Sequence, residues 1–182
     1  MCTRNYWAKR IRTGIAKQVN VNHVLIERLA SELAKRDASI TVAESCTGGW
    51  IAKNLTDIPG SSAWFGYGFV SYGNNAKRDL LDVDQALLDK FGAVSCEVAE
   101  AMVGGALDRS GAGLGLAVTG IAGPDGGTLE KPVGTVWMAW ALRGHVGNSE
   151  CHQFDGDRDT IRRVTVTTAL RGVLEYLEKT DG

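Results

Sequence analysis

A serine, a cysteine and a threonine precede two glycines in the segment TVAESCTGGW, residues 41–50. The hydroxyl of Ser45 and the thiol of Cys46 become nucleophiles when a base removes their proton. A β-branched stretch comes before them and an apolar helical pattern follows, so the segment is predicted to turn from a strand into a helix. The start of a helix offers unpaired N–H groups that can hold a phosphate, a carboxylate or a developing oxyanion. The alternative interpretation is a small-residue turn in which Ser45 or Thr47 caps the helix.

Two other predicted strands also end in polar or flexible residues. The segment SYGNNAK brings Tyr72 and Lys77, and AVTGIAGPDGG brings Thr119 and several glycines. If these strand ends meet at one edge of a sheet, Lys77 lies near Ser45 in a partly dry pocket. There the lysine can lose its proton near neutral pH and act as the base. No histidine occurs in the three segments, so a Ser-Lys pair is favoured over a Ser-His-Asp arrangement.

Cys46 is the competing nucleophile, because the N-terminus of a helix lowers the pKa of a thiol. A catalytic cysteine normally works with a histidine, and none is in view near Cys46. The pattern therefore favours Ser45.

Composition and charge narrow the class of protein. The 182 residues, 44% of them hydrophobic, suffice for one substantial core. With 20 basic and 21 acidic residues, the net charge of -1 gives no global attraction to nucleic acid or to an anionic membrane, so we expect neither as a partner. No apolar run approaches the roughly 20 residues of a membrane span, and the start has no apolar core of a secretory signal.

Cysteine and histidine spacing indicates neither a metal site nor a disulfide framework. The four cysteines contain no CxxC pair, which fits reduced thiols in a cytoplasm, and the three histidines show no HxxxH spacing. We predict no metal and no cofactor. The glycine-rich segments match neither GxGxxG nor GxxxxGK[ST], which argues against a dinucleotide or triphosphate fold.

Hydrophobic periodicity predicts helices that alternate with strands. The predicted helices cover about 21–36, 50–58, two short pieces within 73–83 and 84–92, 95–111 with Ser95 as N-cap, and 156–179 with Asp157 or Asp159 as cap. The predicted strands are SITVAE, WFGYGFVSY, LGLAVTG, TVWMAWALR and ECHQF. LGLAVTG is apolar on both faces and therefore central, and the last two strands form a hairpin.

This order of elements predicts an α/β fold, a three-layer α/β/α sandwich around a mixed, mostly parallel sheet. The buried sides of three helices are expected at Leu25, Leu29 and Leu33, at Val98, Met102 and Leu107, and at Ile161, Val164, Leu170, Leu174 and Leu177. Residues 1–20 carry five basic residues and no acid and are predicted to be a solvated arm. Residues 21–182 form a single domain in this prediction.

Several long segments resemble one known family. They are VAESCTGGWIAKNLTDIPGSSAWFGYGFVSYGNNAKRDLL, FGAVSCEVAEAMVGGAL, AVTGIAGPDGGTLEKPVGTVWMAW and FDGDRDTIRR, in this order. Over roughly residues 24–177 the chain resembles the CinA C-terminal domain family, the nicotinamide-nucleotide amidases. The resemblance implies an α/β/α sandwich, a homo-oligomer, and hydrolysis of nicotinamide mononucleotide to nicotinate mononucleotide and ammonia in pyridine-nucleotide recycling. The chain is similar to the stand-alone form, which has no large molybdopterin-binding-like domain.

The resemblance also implies roles for individual residues. The family serine falls on Ser45, which again favours it over Cys46, and the lysine of the family segment NEAK falls on Lys77. Asn75 stands where many members have glutamate. The loss of this carboxylate is expected to lower the pKa of Lys77, or else the substrate contacts have changed.

The remaining expected site residues surround this pair. Tyr72 and Thr119 are candidates for orienting Lys77 or the substrate. Substrate contacts are expected from the N–H groups of Cys46, Thr47, Gly48 and Gly49, from close backbone approach at Gly120 and Gly123, and from Arg158 or Arg78 at the phosphate. Trp64 is a candidate for stacking on the pyridine ring.

Two other functions remain open from the sequence. The same glycine-rich strand ends suit a nucleotide-binding or regulatory module without catalysis. A nucleic-acid binder that uses the basic arm is a further alternative, and it predicts an affinity that depends on salt.

Overall fold

The computed structural model describes residues 21–145 and 147–180, and the predicted arm of residues 1–20 lies outside them. Within these ranges the α-helices are α1 (Val21–Lys35), α2 (Trp50–Thr56), α3 (Asn74–Leu81), α4 (Gln85–Phe91), α5 (Cys96–Ser110) and α6 (Arg158–Thr180). The strands are β1 (Ile40–Glu44), β2 (Phe65–Val70), β3 (Leu114–Gly120), β4 (Thr135–Leu142) and β5 (Asn148–Gln153).

The five strands form one mixed sheet in the order β2-β1-β3-β4-β5. β1 pairs in parallel with both β2 and β3, whereas β4 runs antiparallel to β3 and to β5. Four of the five strands therefore point the same way, with β4 reversed. The predicted mixed sheet, the central position of LGLAVTG as β3 and the late hairpin are confirmed.

Helices cover both faces of the sheet, because alternate side chains of each strand point to opposite faces. On one face Val42 and Leu116 pack with residues of α1, α2 and α6. On the other face Ala43, Ala117 and Ala139 contact α3, α4 and α5. The small alanines let α5 approach the sheet closely. The predicted three-layer sandwich is confirmed.

The helix boundaries and caps agree with the sequence patterns in most places. Ser95 caps α5 by accepting the N–H of Val98, and Asp157 accepts the N–H of Thr160 at the start of α6. Two predicted core residues are only half-buried, Leu25 on α1 and Val164 on α6. These helices present neighbouring residues to the core in their place, because a helix of 3.6 residues per turn rotates away from a strict four-residue spacing.

In the aromatic strand β2 one glycine has the predicted close neighbour. A Cβ on Gly68 would lie 3.3 Å from the methyl group of Ala52, whereas Gly66 faces open space. β2 is an edge strand, and much of its surface is exposed. In the described parts of the chain, no helix has the length and apolarity needed to cross a bilayer.

Candidate active site

The carboxyl ends of β1, β2 and β3 meet at one edge of the sheet, because the three strands are parallel neighbours. A cavity of about 270 Å³ opens there. Eight predicted site residues line it: Ser45, Cys46, Tyr72, Lys77, Thr119, Gly120, Gly123 and Arg158. Thr47, Gly48 and Gly49 are not among the lining residues.

Ser45 is the first residue after β1, and it still forms one backbone hydrogen bond to the neighbouring strand β3. Its N–H donates to the carbonyl of Val118 on β3 at 3.0 Å, and its own carbonyl accepts the N–H of Gly48 at 3.1 Å. The chain turns between these two bonds. The turn needs Gly48 at φ 61° and Gly49 at φ 93°, values that side chains with a Cβ disfavour. Ser45 is thereby placed at the mouth of the cavity with 7% of its surface exposed.

The start of α2 is capped by Glu44, a role that the sequence analysis did not assign. Its fully buried carboxylate accepts the N–H groups of Gly49, Ile51 and Ala52 and the hydroxyl of Thr47. A carboxylate at a helix N-terminus is favoured by the helix dipole. The alternative interpretation, in which Ser45 or Thr47 caps the helix, is therefore not the one that the structure shows. A glutamate at the end of an apolar strand, eight residues before Ala52, was the available signal.

This capping changes which N–H groups can meet a ligand. Gly48 donates to Ser45 and Gly49 donates to Glu44, so both N–H groups are engaged within the turn, and the substrate contacts expected of these glycines stay a prediction. Among the described residues, the N–H of Cys46 and that of Thr47 donate to no other residue. Cys46 lines the cavity and Thr47 does not, so the N–H of Cys46 is the candidate donor for an anion next to Ser45.

Lys77 reaches the serine from the N-terminal half of α3. Its Nζ lies 3.0 Å from Ser45 Oγ, 3.0 Å from the Ser71 carbonyl oxygen and 3.3 Å from the Tyr72 carbonyl oxygen. The side chain is 1% exposed. Burial disfavours the charged form and lowers the pKa of Lys77 from 10.5 to about 8.

Lys77 Nζ donates to Ser45 Oγ, and Ser45 Oγ in turn donates to the Tyr72 carbonyl oxygen at 3.4 Å. An uncharged amine has two N–H groups and one lone pair. When the amine is neutral, the carbonyls of Ser71 and Tyr72 can take its two N–H groups, and the Ser45 hydroxyl can rotate from the Tyr72 carbonyl to the lone pair of the lysine. This arrangement can carry a proton from the serine to the lysine.

Cys46 adjoins Ser45 but lies in a different environment. Its thiol is buried, and burial raises its pKa from 9.0 to about 12. The free thiol therefore stays protonated at neutral pH. The expected lowering of the Cys46 pKa by the helix N-terminus does not prevail, because burial outweighs it and the nearby negative charge of Glu44 also raises the pKa.

Tyr72 and Arg158 form the outer wall of the cavity. The phenol oxygen of Tyr72 accepts a hydrogen bond of 2.8 Å from Arg158 Nη2, while Nη1 of the same arginine donates to the Gly123 carbonyl at 2.7 Å. The Tyr72 side chain is exposed, and it is the backbone carbonyl that contacts Lys77. Arg78 bonds to Gln85 and is not among the cavity-lining residues.

The residues at the end of β3 and in the loop after it are packed closely against neighbouring parts of the chain. Thr119 Oγ1 donates to the Ala93 carbonyl at 2.7 Å and has no hydrogen bond to Lys77. A Cβ on Gly120 would lie 2.7 Å from a methyl group of Val136, and one on Gly123 would lie 2.6 Å from Val133. Packing against the strand β4 and the segment before it therefore requires both glycines, whether or not a substrate approaches them.

Several residues join the site without having been predicted. The cavity is also lined by Asn74, Ala93, Val94, Ile121, Ala122, Asp125 and Gly126.

Trp64, the candidate for stacking on the pyridine ring, lies at the other end of the sheet. It precedes β2, and its carbonyl accepts the N–H of Ile40 at the opposite end of β1. The distance along β2 from Trp64 to Tyr72 separates this indole from the site.

Asn75 is exposed and does not line the cavity. It stands two residues before Lys77 on α3, and such positions do not face each other on a helix. In the parts of the chain that the structure describes, no cluster of three His, Cys, Asp or Glu residues is arranged to hold a metal ion.

This chain is similar to known proteins in both its sequence and its fold. The model of the CinA C-terminal domain matches residues 22–177. The nicotinamide-nucleotide amidohydrolase PncC of Pseudomonas putida is 54% identical over 151 residues, which are 83% of this chain and 94% of that protein. A CinA-like protein of Akkermansia muciniphila is 48% identical over 93% of this chain, but the match covers only 41% of that longer protein.

A solved structure agrees with the fold described above. The competence/damage inducible protein CihA of Agrobacterium tumefaciens superposes with a TM-score of 0.84 at 43% identity, over 89% of this chain and 99% of that one. The match includes the segments that carry Ser45 and Lys77, since the family model extends across them. The chain belongs to the CinA C-terminal domain family.

Proposed function

We propose that the protein hydrolyses the carboxamide of nicotinamide mononucleotide to nicotinate mononucleotide and ammonia, as a step of pyridine-nucleotide recycling. The observation that carries the proposal is the 3.0 Å contact between Lys77 Nζ and Ser45 Oγ within the cavity. The choice of substrate is supported by the relatives named nicotinamide-nucleotide amidohydrolase, of whose length the matches cover 94% and 95%.

In the first chemical step, neutral Lys77 takes the proton of Ser45 as the serine oxygen attacks the carboxamide carbon. When the carbonyls of Ser71 and Tyr72 accept both N–H groups of the neutral amine, its lone pair is left for the serine hydroxyl. The protonated lysine then donates its proton to the departing amide nitrogen. Ammonia leaves, and the acyl group remains on Ser45.

In the second step, Lys77 removes a proton from a water molecule that attacks the acyl-enzyme. The carboxylic acid leaves and the serine regains its proton, so one water is consumed for each ammonia released. The same lysine serves as base and acid in both steps, as microscopic reversibility requires.

The negative oxygen of the tetrahedral intermediate lies next to the N–H of Cys46 in this mechanism. One such donor in an oxyanion hole typically contributes about 3 kcal/mol to the stability of the transition state. Cys46 thus acts through its backbone, and its thiol takes no part.

The test is ammonia release from nicotinamide mononucleotide without added metal, measured for the intact protein and three variants. We expect Ser45→Ala and Lys77→Met to lose at least about 1000-fold in kcat, because each removes half of the nucleophile-base pair. Cys46→Ala is the matched control and is expected to stay active. Activity that vanishes with Cys46→Ala but survives Ser45→Ala contradicts the proposal.

Arg158 is the proposed partner of the substrate phosphate. It is the arginine among the cavity-lining residues, and its bonds to Gly123 and Tyr72 hold the guanidinium at the mouth. Arg158→Met is expected to raise KM for nicotinamide mononucleotide about tenfold and to leave KM for nicotinamide riboside, which has no phosphate, nearly unchanged. Arg78→Met serves as control, and equal effects on both substrates contradict this role.

A binding or regulatory module without catalysis is the second candidate function. The glycine-rich strand ends around the cavity would bind a nucleotide equally well without any chemistry. In that case nicotinamide mononucleotide raises the melting temperature of the protein while no ammonia appears.

Two further properties belong to this proposal. We place the protein in the cytoplasm, on the basis of the dispersed cysteines. A homo-oligomer is proposed from the family resemblance.

A further inference from the structure

Arg162 on α6 contacts the nucleophile turn from outside the cavity. Its Nη2 donates to the Thr47 carbonyl at 2.8 Å, and its Nε donates to the Cys46 carbonyl at 3.1 Å. The guanidinium carbon lies 5.2 Å from the centre of the Trp50 ring, which holds the plane of the group in place. Arg162 thus contacts two consecutive peptide groups just after Ser45, namely Cys46–Thr47 and Thr47–Gly48.

The bond to Thr47 continues through the turn towards the cavity. The Thr47 carbonyl and the Gly48 N–H belong to one peptide group, and this N–H donates to the Ser45 carbonyl at 3.1 Å. The Ser45 carbonyl and the Cys46 N–H belong to the next peptide group in the series. Carbonyl and N–H point in opposite directions in a planar trans peptide, so each bond sets the direction of the next donor.

We propose that Arg162 is a positioning residue for the oxyanion of the amidase reaction: it acts through the Thr47–Gly48 and Ser45–Cys46 peptide groups to orient and polarise the N–H of Cys46. This inference rests on the proposed function. Hydrogen bonds in series strengthen one another, by roughly 10–30% per bond, and here the series begins at a permanent positive charge.

The geometry around Gly48 supports this role. A Cβ at position 48 would lie 3.5 Å from Arg162 Nη2, and the residue has φ 61°. The positive φ is the reason for glycine at this position, and the 3.5 Å separation shows that the guanidinium packs directly against the turn. Glu44 holds the other side of the same turn, so the Cys46 peptide group is fixed between two elements.

The decisive variant is Arg162→Met, with Arg163→Met as matched control because Arg163 is the exposed neighbour on the same helix. We expect kcat of Arg162→Met to fall at least tenfold, KM for nicotinamide mononucleotide to stay within threefold, and the pH midpoint of the reaction to stay unchanged. The midpoint reports Lys77, whose contacts do not involve Arg162. Arg163→Met is expected to behave as the intact protein.

Two ligands separate this role from a merely structural one. The aldehyde analogue of nicotinamide mononucleotide forms a tetrahedral adduct with a serine, whereas nicotinate mononucleotide binds without one. For Arg162→Met we expect the inhibition constant of the aldehyde to rise by the same factor by which kcat/KM falls, and that of nicotinate mononucleotide to stay unchanged. If both constants rise equally, or if kcat falls less than threefold, the inference is wrong.

Arg162→Lys covers the case in which the methionine variant does not fold. Lysine keeps the charge but cannot bond two carbonyls with a fixed fork, so we expect a kcat between those of the intact protein and Arg162→Met, with an unchanged melting temperature. Full activity in Arg162→Lys contradicts the need for the two-carbonyl contact. If the intact protein and Arg163→Met release no ammonia, the proposed function itself fails and this inference with it.

Discussion

At the scale of single residues, the burial of the Lys77 amine affects both the proposed catalysis and the free energy of unfolding. Lys77 is buried next to Ser45 and contacts two backbone carbonyls. The same burial that disfavours its charged form makes it a base near neutral pH. Desolvation by burial is the largest cause of the lowered pKa of Lys77, and exposed Asn75 is not among the residues that line the cavity.

The first prediction concerns the pH dependence of activity. Neutral Lys77 is the active form, and its pKa is lowered to about 8, so kcat/KM should rise with pH, pass its midpoint near 8 and level off above it. The measurement is initial ammonia release between pH 6 and 10. A rate that is constant across this range rules out Lys77 as the titrating base.

The second prediction concerns the pH dependence of stability. Between pH 8 and 10.5 the unfolded chain keeps a proton on Lys77 that the folded chain has lost, so the free energy of unfolding rises with pH. This group should raise it by roughly 2–3 kcal/mol between pH 7 and 10. The rise should be missing in Lys77→Met. Urea unfolding of both proteins at several pH values measures the difference, and a difference independent of pH contradicts the lowered pKa.

At the scale of elements, the site depends on how closely helices approach the sheet and each other. α5 packs on the small residues Ala43 and Ala117 of the sheet and also against α3, which carries Lys77. Gly105 is the point of closest approach: a Cβ there would overlap the carbonyl of Leu81 at the end of α3. The position of Lys77 therefore depends in part on a glycine of another helix.

The third prediction compares two adjacent glycines of α5. Gly105→Ala should destabilise the protein by about 2 kcal/mol, because the added methyl group pushes α3 away. Gly104→Ala should stabilise it by up to about 1 kcal/mol, because a Cβ at Gly104 meets nothing within 4 Å and alanine favours a helix. Thermal unfolding of both variants measures these changes. Equal effects of the two substitutions would show that the helices do not pack as described.

At the scale of the whole molecule, all cavity-lining residues lie between Ser45 and Arg158. One side of the cavity comes from the turns after β1 and β2, and the other comes from the loop after β3 and the start of α6. The near-balanced charge of the chain adds no long-range attraction for a polyanion.

The fourth prediction concerns the basic segment of residues 1–20. A chain that begins at residue 21 should keep kcat/KM for nicotinamide mononucleotide within about twofold, since Ser45, Lys77 and the other described cavity-lining residues all lie after residue 21. Ammonia release by the two chains measures this. If the segment serves nucleic acid instead, duplex DNA should bind the longer chain with an affinity that falls steeply with salt, and the shorter chain should not bind.

The fifth prediction concerns assembly. The edge strand β2 and the turn after it expose Tyr67, Val70 and Tyr72, and exposed apolar edges favour contacts between chains. Light scattering at several protein concentrations should give a mass that is a whole multiple of 19.5 kDa and larger than one chain. A mass of one chain at every concentration contradicts the homo-oligomer.

The sequence by itself determined the order of the elements and the pair at the centre of the site. Apolar periodicity is a local property, so it located the helices and strands, and β3 was identified as central because it is apolar on both faces. Ser45 and Lys77 were paired from two strand ends, because parallel strands bring their carboxyl ends to one edge. The match of several motifs in order predicted the family.

Only the tertiary structure decided which groups are free to act. Glu44 and Arg162 are ordinary charged residues in the sequence, yet they engage the N–H groups and carbonyls around Ser45. Arg162 is more than 100 residues away from the carbonyls that it contacts, so the sequence alone does not show this partner. For the same reason the sequence suggested Trp64 for the pyridine ring, and it did not show that Gly120 also packs closely against β4. Local patterns specify elements, but the direction of each donor and the burial of each charge arise only when the elements meet.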